Sequence, residues 1–181
     1  MKSIEILMNE HVLIRECLNL LDKACDKIVK NDYPPKEFFE IAFNFSREFS
    51  DKFHHYKEEY VMFGYLAQKK EGDIDAQIEA HRSQHENCRN LISNMSDSLN
   101  GYSNELNEST RSLHRNLSDY VQTLRKHIRS ENDVFFPMVL KVLSESDDKY
   151  LIEEFEKYEQ KTDSNTWEKN QDIIKKMTEM L

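Results

Sequence analysis

The sequence predicts an all-α fold, and three observations carry that reading. Its 181 residues include only 3 Gly and 3 Pro, too few for the frequent turns of a β-sandwich or barrel. Glu, Lys, Leu and Asn recur throughout, a usage that suits helices. In several long stretches apolar residues return at alternating intervals of three and four, the period of a helix with one buried face. The length suits one domain, or one domain with an extension, and is sufficient to bury a real core.

The first helix carries the seam Ile4, Leu7, His11, Ile14, Leu18, Leu21, Cys25 and Ile28. Ser3 is the expected N-cap. Asn31-Asp32-Tyr33-Pro34-Pro35 ends the helix, because a residue before proline is driven out of the α region. His11 occupies a position where an aliphatic residue is expected. For an isolated His, a neutral imidazole hydrogen-bonded in the core would account for it.

The second helix is expected from about Lys36 to Lys69, with Gly72 after Lys69-Lys70-Glu71 as its stop. At 100° per residue, Phe43, His54, Glu58, Val61 and Tyr65 share one side and face the presumed centre. Phe38, Ile41, Ala42, Phe45, Phe49, Phe53, Tyr56 and Tyr60 cluster on the far side, an aromatic face too wide to be left in water. The third helix runs from Asp73 to about Asn100 on Ile74, Ile78, His81, His85, Cys88, Ile92, Met95 and Leu99. After the Asn100-Gly101 turn, the fourth carries Leu106, Leu113, Leu117, Tyr120, Leu124, His127, Glu131, Val134 and Met138.

Beyond Leu143, Ser144-Glu145-Ser146-Asp147-Asp148 reads as a link into two short amphipathic helices. One holds Tyr150, Leu151, Phe155 and Tyr158. The other, capped by Thr166, holds Trp167, Ile173, Ile174, Met177 and Leu181. Neither could stand alone, so residues 1–145 are expected to form the main domain and 146–181 an extension packed on the surplus aromatic face. Self-association through that face, giving a homo-oligomer, is the competing account.

Charge narrows the function classes. With 34 acidic and 25 basic residues the net charge is −9, which repels phosphate backbones and anionic membrane surfaces, so neither nucleic acid nor a membrane is an expected partner. No apolar run is long enough to span a bilayer and the N-terminus lacks a signal pattern, which predicts a cytoplasmic protein. Cys17, Cys25 and Cys88 are odd in number and lack C-x-x-C spacing, so they read as reduced core thiols.

The polar residues on the apolar seams carry the chemistry. In a helix, residues four apart lie on one face, so His54 with Glu58, His81 with His85, and His127 with Glu131 each form a pair of donors, and His11 adds a seventh. His114, one residue off its seam at Leu113, shows what chance placement looks like. A buried bare carboxylate costs roughly several kcal/mol, and the seam lacks Lys and Arg near Glu58 and Glu131, although Arg47 lies on the same face of its helix some turns away; a bound cation is the simplest partner. Imidazole and carboxylate suit iron, with manganese or zinc possible, and the lack of thiolate spacing disfavours structural zinc. Seven donors exceed one ion's needs. Two ions sharing both carboxylates and a bridging oxygen would have six and five donors, leaving one position open. Ferritin-type sites need Glu-x-x-His on two helices, and the nearest approach here is Asp51-x-x-His54.

The lone His11, His54-x-x-x-Glu58 within His-His-Tyr-Lys-Glu-Glu, His81-x-x-x-His85, and His127-Ile-x-x-Glu131 followed by Phe-Phe-Pro together resemble the hemerythrin-like HHE cation-binding family over roughly residues 1 to 143. The resemblance implies an up-and-down four-helix bundle around two non-haem iron ions with an oxo or hydroxo bridge. It assigns His11 and His54 to one iron, His81, His85 and His127 to the other, and Glu58 and Glu131 as bridges. His55 and Glu59 repeat the four-residue spacing one position along, but the earlier pair matches the family. Where oxygen carriers have Asp five residues after the last His, this chain has Asn132. The leading expectation is a protein that binds, stores or senses dioxygen or a related small ligand such as nitric oxide or peroxide. The alternatives are a di-iron redox enzyme acting on nitric oxide or peroxide, a role in repair of iron–sulfur clusters, and metal storage.

Overall fold

A computed structural model describes residues 1–69, 72–162 and 165–181, apart from the side chain of Asp73. Among these residues the chain forms six helical runs and no strand. The first is α1 (Lys2–Val29). The second begins as α2 (Lys36–Phe45), passes through π-helical turns at Ser46–His55 and Lys57–Met62, and closes as α3 (Phe63–Leu66) with a 3₁₀ turn at Ala67–Lys69. α4 (Gly72–Leu99) is the third. α5 (Glu108–Ser130) continues through a π turn at Glu131–Phe135 into α6 (Phe136–Val142), and α7 (Glu145–Thr162) and α8 (Thr166–Glu179) complete the chain. No helix among the described residues is long and apolar enough to cross a membrane.

Neighbouring runs are antiparallel. Arg125 reaches Asp22 at 2.9 Å while Glu131 lies 3.2 Å from His11, pairing α5 with α1 in opposite directions. Arg89 meets Asp51 at 2.8 Å and His85 meets Glu59 at 2.6 Å, pairing α4 with the second run. Ser98 bonds Ser112 at 3.1 Å and His127 bonds Gln84 at 2.8 Å, pairing α4 with α5.

This arrangement stacks the interior in layers. One apolar cluster gathers Leu13–Ile28 of α1 with Phe38–Phe53, Cys88–Leu99 and Leu113–Ile128 side chains. A second, at the other end, gathers Ile4, Leu7, Met62, Phe63, Leu66, Ile74, Ile78, Phe135, Phe136 and Val139. Along every one of the four runs the buried His and Glu lie between these sets. α8 adds Ile174 and Met177 to the first cluster, and α7 adds Leu151 and Phe155 to the second. Each such side chain contributes about 1.5–3 kcal/mol on full burial. Tyr158 also stacks on Tyr56 at 3.8 Å and 10°, and Trp167 lies 6.3 Å from Phe49.

Several local expectations are corrected. Ser3 lies inside α1 rather than capping it; the cap is Asp148, whose carboxylate accepts the N–H of Lys2 and of Ser3, each at 3.0 Å. A carboxylate is favoured there by the free N–H groups and the helix dipole. α1 ends at Val29, five residues before the first proline, because Asn31 adopts φ 58°, and Asp32 N–H reaches the Lys27 carbonyl at 2.9 Å while Asn31 N–H reaches that of Ile28 at 3.0 Å, the Schellman arrangement. Gly72, the expected stop of the second run, instead opens α4, and no described glycine has positive φ; Lys70 and Glu71 lie outside the described residues. Asn107 caps α5, its Oδ1 accepting Thr110 N–H at 2.8 Å. Leu106 therefore precedes the helix and is exposed. Asn165, not Thr166, holds the capping position of α8.

The π turns explain the other differences. An i→i+5 turn takes one more residue than an α turn, so the 100° count drifts through it. Val134, expected on the seam, is 47 % exposed, and Phe135, Phe136 and Val139 are buried in its place. This turn ends two residues before Pro137, which has no N–H for the carbonyl four residues back. In the second run the far side expected to end with Tyr56 and Tyr60 stops short, Tyr60 being 69 % exposed, while Lys57, Met62 and Phe63 are fully buried. Tyr65, expected in the core, is half-buried and donates its hydroxyl to Asp147 of α7.

Candidate metal centre

All seven donors singled out in the sequence are buried, each at most 1 % exposed. They converge in the layer between the apolar clusters. His11, His54, Glu58 and Glu131 form one group, His81, His127 and Glu131 a second, and Glu58, His85 and His127 belong to a third with His55. Within each group every ligand atom lies within 4.8 Å of the others. Each carboxylate appears in two groups. Glu131 Oε2 is 3.2 Å from His11 Nε2 and 3.1 Å from His127 Nε2, while its Oε1 is 3.7 Å from His81 and 3.8 Å from His85. Glu58 spans the same way, 3.6 Å from His54 Nε2 and 3.4 Å from His85 Nε2.

In four of the five donor rings the outer nitrogen is fixed by hydrogen bonding. His54 Nδ1–H donates to Glu10 at 2.8 Å, His85 Nδ1–H to Glu59 at 2.6 Å, His11 Nδ1–H to Asn132 Oδ1 at 2.9 Å and His127 Nδ1–H to Gln84 Oε1 at 2.8 Å. Such bonds select the tautomer whose Nε2 lone pair points inward, the arrangement of metal-binding histidines. Arg89 ties two acceptors together, bonding Asp51 at 2.8 Å and Glu59 at 2.6 Å. Asn132 is thus an orienting residue behind His11 and not a member of a donor group.

Most of the inner atoms are left without partners, the exception being His85 Nε2 and His127 Nε2, which lie 3.0 Å apart. Among the described residues, His11 Nε2, His54 Nε2, His55 Nε2, His81 Nε2 and both oxygens of Glu58 and Glu131 are buried with no hydrogen bond. Two carboxylates facing one another without a donor would cost several kcal/mol, roughly, in a bare core. Cations supply what the protein withholds, and the donor set fits them.

Electrostatics of the metal-free chain agrees. Burial holds His54 well below the usual imidazole range, and burial pulls His81 down to about 4 against the pull of Glu131, leaving both in the neutral form that coordinates. Burial, reinforced by Glu131, pushes Glu58 well up. Burial works the same way on Glu131, but the imidazoles of His127, His11 and His85 gathered around it outweigh burial and hold its carboxyl well below the usual range. Phe63, Phe135 and Phe136 wall the layer on one side: Phe136 stacks 5.8 Å from His11, Phe135 lies 5.0 Å from His81, and Phe63 stacks 6.2 Å from His85.

Several further side chains take part that apolar spacing did not mark. His55, set aside in favour of His54, is buried and points into the third group. Lys57 is fully buried beside Glu58, but its ammonium serves Glu10 and Glu159 rather than the inner carboxylates. Glu10 and Asp51 hold His54 and His55 from behind. The repeated His-x-x-x-Glu spacing was the one available signal for His55; cross-helix partners leave none. Arg47, on the expected inner side, is exposed and bonds Ser96. Cys17, Cys25 and Cys88 are buried and unpaired, and burial pushes the Cys25 and Cys88 thiols up to about 12.

Comparison with known proteins agrees with the geometry. The family described as "Hemerythrin HHE cation binding domain" matches residues 2–139. No curated protein and no solved structure matches the chain. With the match running from the start of α1 into α6 and enclosing every grouped donor, the chain belongs to the hemerythrin HHE cation-binding domain family.

Proposed function

We propose that this protein is a non-haem di-iron protein that binds dioxygen or a related small ligand, for oxygen binding, storage or sensing. In this reading the four long runs form an up-and-down four-helix bundle, residues 1–145 are its domain, and residues 146–181 are an extension docked on it. His11 and His54 hold one iron, His81, His85 and His127 hold the other, and Glu58 and Glu131 bridge them. The single observation that carries the proposal is the set of buried, unpartnered Nε2 and carboxylate oxygens in overlapping groups. The division of donors is supported by His11 grouping with His54, and by His127 grouping with both His81 and His85.

When bound, the iron pair supplies an electron-rich centre with room for one small exogenous ligand. The protein contributes orientation and exclusion. Glu10, Glu59, Asn132 and Gln84 fix the rings, and Phe63, Phe135 and Phe136 keep bulk water from the walls. A dry, pre-oriented layer suits reversible binding, because little reorganisation accompanies it.

The test is anaerobic loading with ferrous iron followed by exposure to air. Uptake of two ions per chain and an absorption change that reverses on degassing are expected. Rapid irreversible oxidation would replace this reading by redox chemistry on dioxygen, nitric oxide or peroxide. Absence of iron uptake would overturn it altogether.

A further inference from the structure

The acceptors behind the donor rings are of two kinds. His11 and His127 donate to the neutral amides of Asn132 and Gln84, whereas His54 and His85 donate to the carboxylates of Glu10 and Glu59. A carboxylate in that place raises the basicity of its imidazole, and what else holds the carboxylate decides by how much. Glu59 is held within the bundle, by Arg89 of α4, which also bonds Asp51. Glu10 is held by Lys57, whose fully buried ammonium is shared with Glu159 of α7. That ammonium lies 3.8 Å above the Phe53 ring and 5.9 Å from the ring of Phe155, again on α7. An unbroken row of charged and hydrogen-bonded groups therefore runs from His54 through Glu10 and Lys57 to Glu159. Its inner end is buried; the Glu159 side chain, at 39 % exposed, meets solvent. α7 begins beyond residues 2–139, the stretch that the family covers.

We infer that Lys57 and Glu159 are positioning residues for His54, through which α7 sets the affinity and reduction potential of the ion held by His11 and His54, and of that ion alone. The inference rests on the di-iron reading above. Lys57 bonded to Glu10 draws negative charge away from the carboxylate that His54 donates to. Glu159, sharing the same ammonium, takes up part of its charge and leaves Glu10 the stronger acceptor. In a low-dielectric interior such neighbours act on one another more strongly than in water. A more basic His54 favours ferric over ferrous iron. With Glu159 neutral, Lys57 acts on Glu10 alone, His54 becomes the weaker donor and ferrous iron is favoured. The ion at His81, His85 and His127 has no such tie, because Arg89 and Glu59 both belong to the bundle.

The experiment is an anaerobic ferrous-iron titration of the full chain read by calorimetry, followed by spectroelectrochemistry of the loaded protein, with circular dichroism as a folding control. The variants are Glu10→Gln, Glu159→Gln, the two combined, and Glu156→Gln, which removes the same charge from an exposed position of α7. Glu10→Gln should weaken one of the two ions by about 10–100-fold, the usual effect of losing an outer-shell partner. Glu159→Gln, one bond further out, should weaken the same ion by up to about tenfold. In both, one of the two one-electron potentials should rise, each tenfold gain in preference for ferrous iron being about 59 mV. Glu156→Gln should match wild type. In the combined variant, Glu159→Gln should add little to Glu10→Gln, since groups acting through one path are not additive. Wild-type affinities and potentials in Glu159→Gln would show that Glu159 only docks α7 and would overturn the inference, as would equal shifts at both ions. A full Glu159→Gln effect in the Glu10→Gln background would overturn the path through His54. If the Glu10→Gln chains fail to fold, Glu159→Gln against Glu156→Gln decides alone, and equal potentials overturn the inference. Failure of the wild-type chain to take up iron would instead sink the di-iron reading itself.

Discussion

The apolar cluster around α2 and the donor layer beside it are built from the same four helical runs and obey different rules. In the cluster, Leu18, Leu21, Leu113 and Leu117 stand at regular three–four intervals and are essentially inaccessible. In the donor layer, the π turns at Ser46–His55, Lys57–Met62 and Glu131–Phe135 hold His54, His55, Glu58 and Glu131. A regular α-helix gives a face one residue in three or four. The wider turns bring His54, His55, Lys57 and Glu58 all into the interior. Packing alone favours the first arrangement; a site that needs many donors in little space favours the second, and the cation offsets the polar groups left without partners.

The comparison can be broken most severely at Glu131. Glu131→Ala removes a carboxylate common to two donor groups, and iron content should fall from two per chain to one or none, together with the stability that iron adds by mass action. Metal analysis and melting with and without iron read both effects; unchanged stoichiometry would remove Glu131 from the site. In the apolar cluster the opposite signature is expected. Leu21→Ala at a fully buried position should cost about 2–5 kcal/mol in urea unfolding, by the same amount with and without iron.

Lys57 sharpens the contrast from between the two regions. Its buried ammonium is shared by Glu10 of α1 and Glu159 of α7 and lies 3.8 Å above the Phe53 ring. Breaking a buried pair typically costs about 3–5 kcal/mol, and burial already pushes Glu10 up to about 7 against the pull of Lys57. Lys57→Ala should therefore destabilise by about 3 kcal/mol in urea unfolding at neutral pH. A change under 1 kcal/mol, roughly, would show that the pair does little for folding.

A smaller effect is expected where α7 caps α1. Replacing Asp148 by Ala should cost about 0.5–2 kcal/mol, the usual range for a helix cap. Burial works against the Asp148 carboxylate, but hydrogen bonds from the Ser3 side chain and from Ser3 and Lys2 backbone N–H hold it below its usual value; bonds from Lys69, Ser144 and Tyr65 do the same for Asp147. A depressed folded-state value contributes stability above the unfolded carboxylate value of about 3.9 that is lost as pH falls through the folded one. Acid melts should lose this contribution below about pH 4, and Asp148→Asn should flatten that part of the profile. Smallest of all, Val134→Ser on the exposed outer side of its π turn should change stability by no more than about 0.5 kcal/mol; a loss comparable to a core leucine would restore Val134 to the seam.

Much of this was written in the chain itself. The all-helical class, the long helical segments and their approximate limits follow from apolar spacing, and spacing also marks His11, His54, Glu58, His81, His85, His127 and Glu131, because a polar group in phase with a seam must face the interior whatever its neighbours are. Only the tertiary structure decided the rest. Val134 moved outward and His55 and Lys57 moved inward because π turns change the period, and in the second helical run no proline announces them. That Asp148 caps α1, that Asn132 orients His11, and that Glu10 stands behind His54 depends on which helix ends meet. Period is a property of one segment and can be read along it; a partner from another helix exists only once packing has chosen the neighbour.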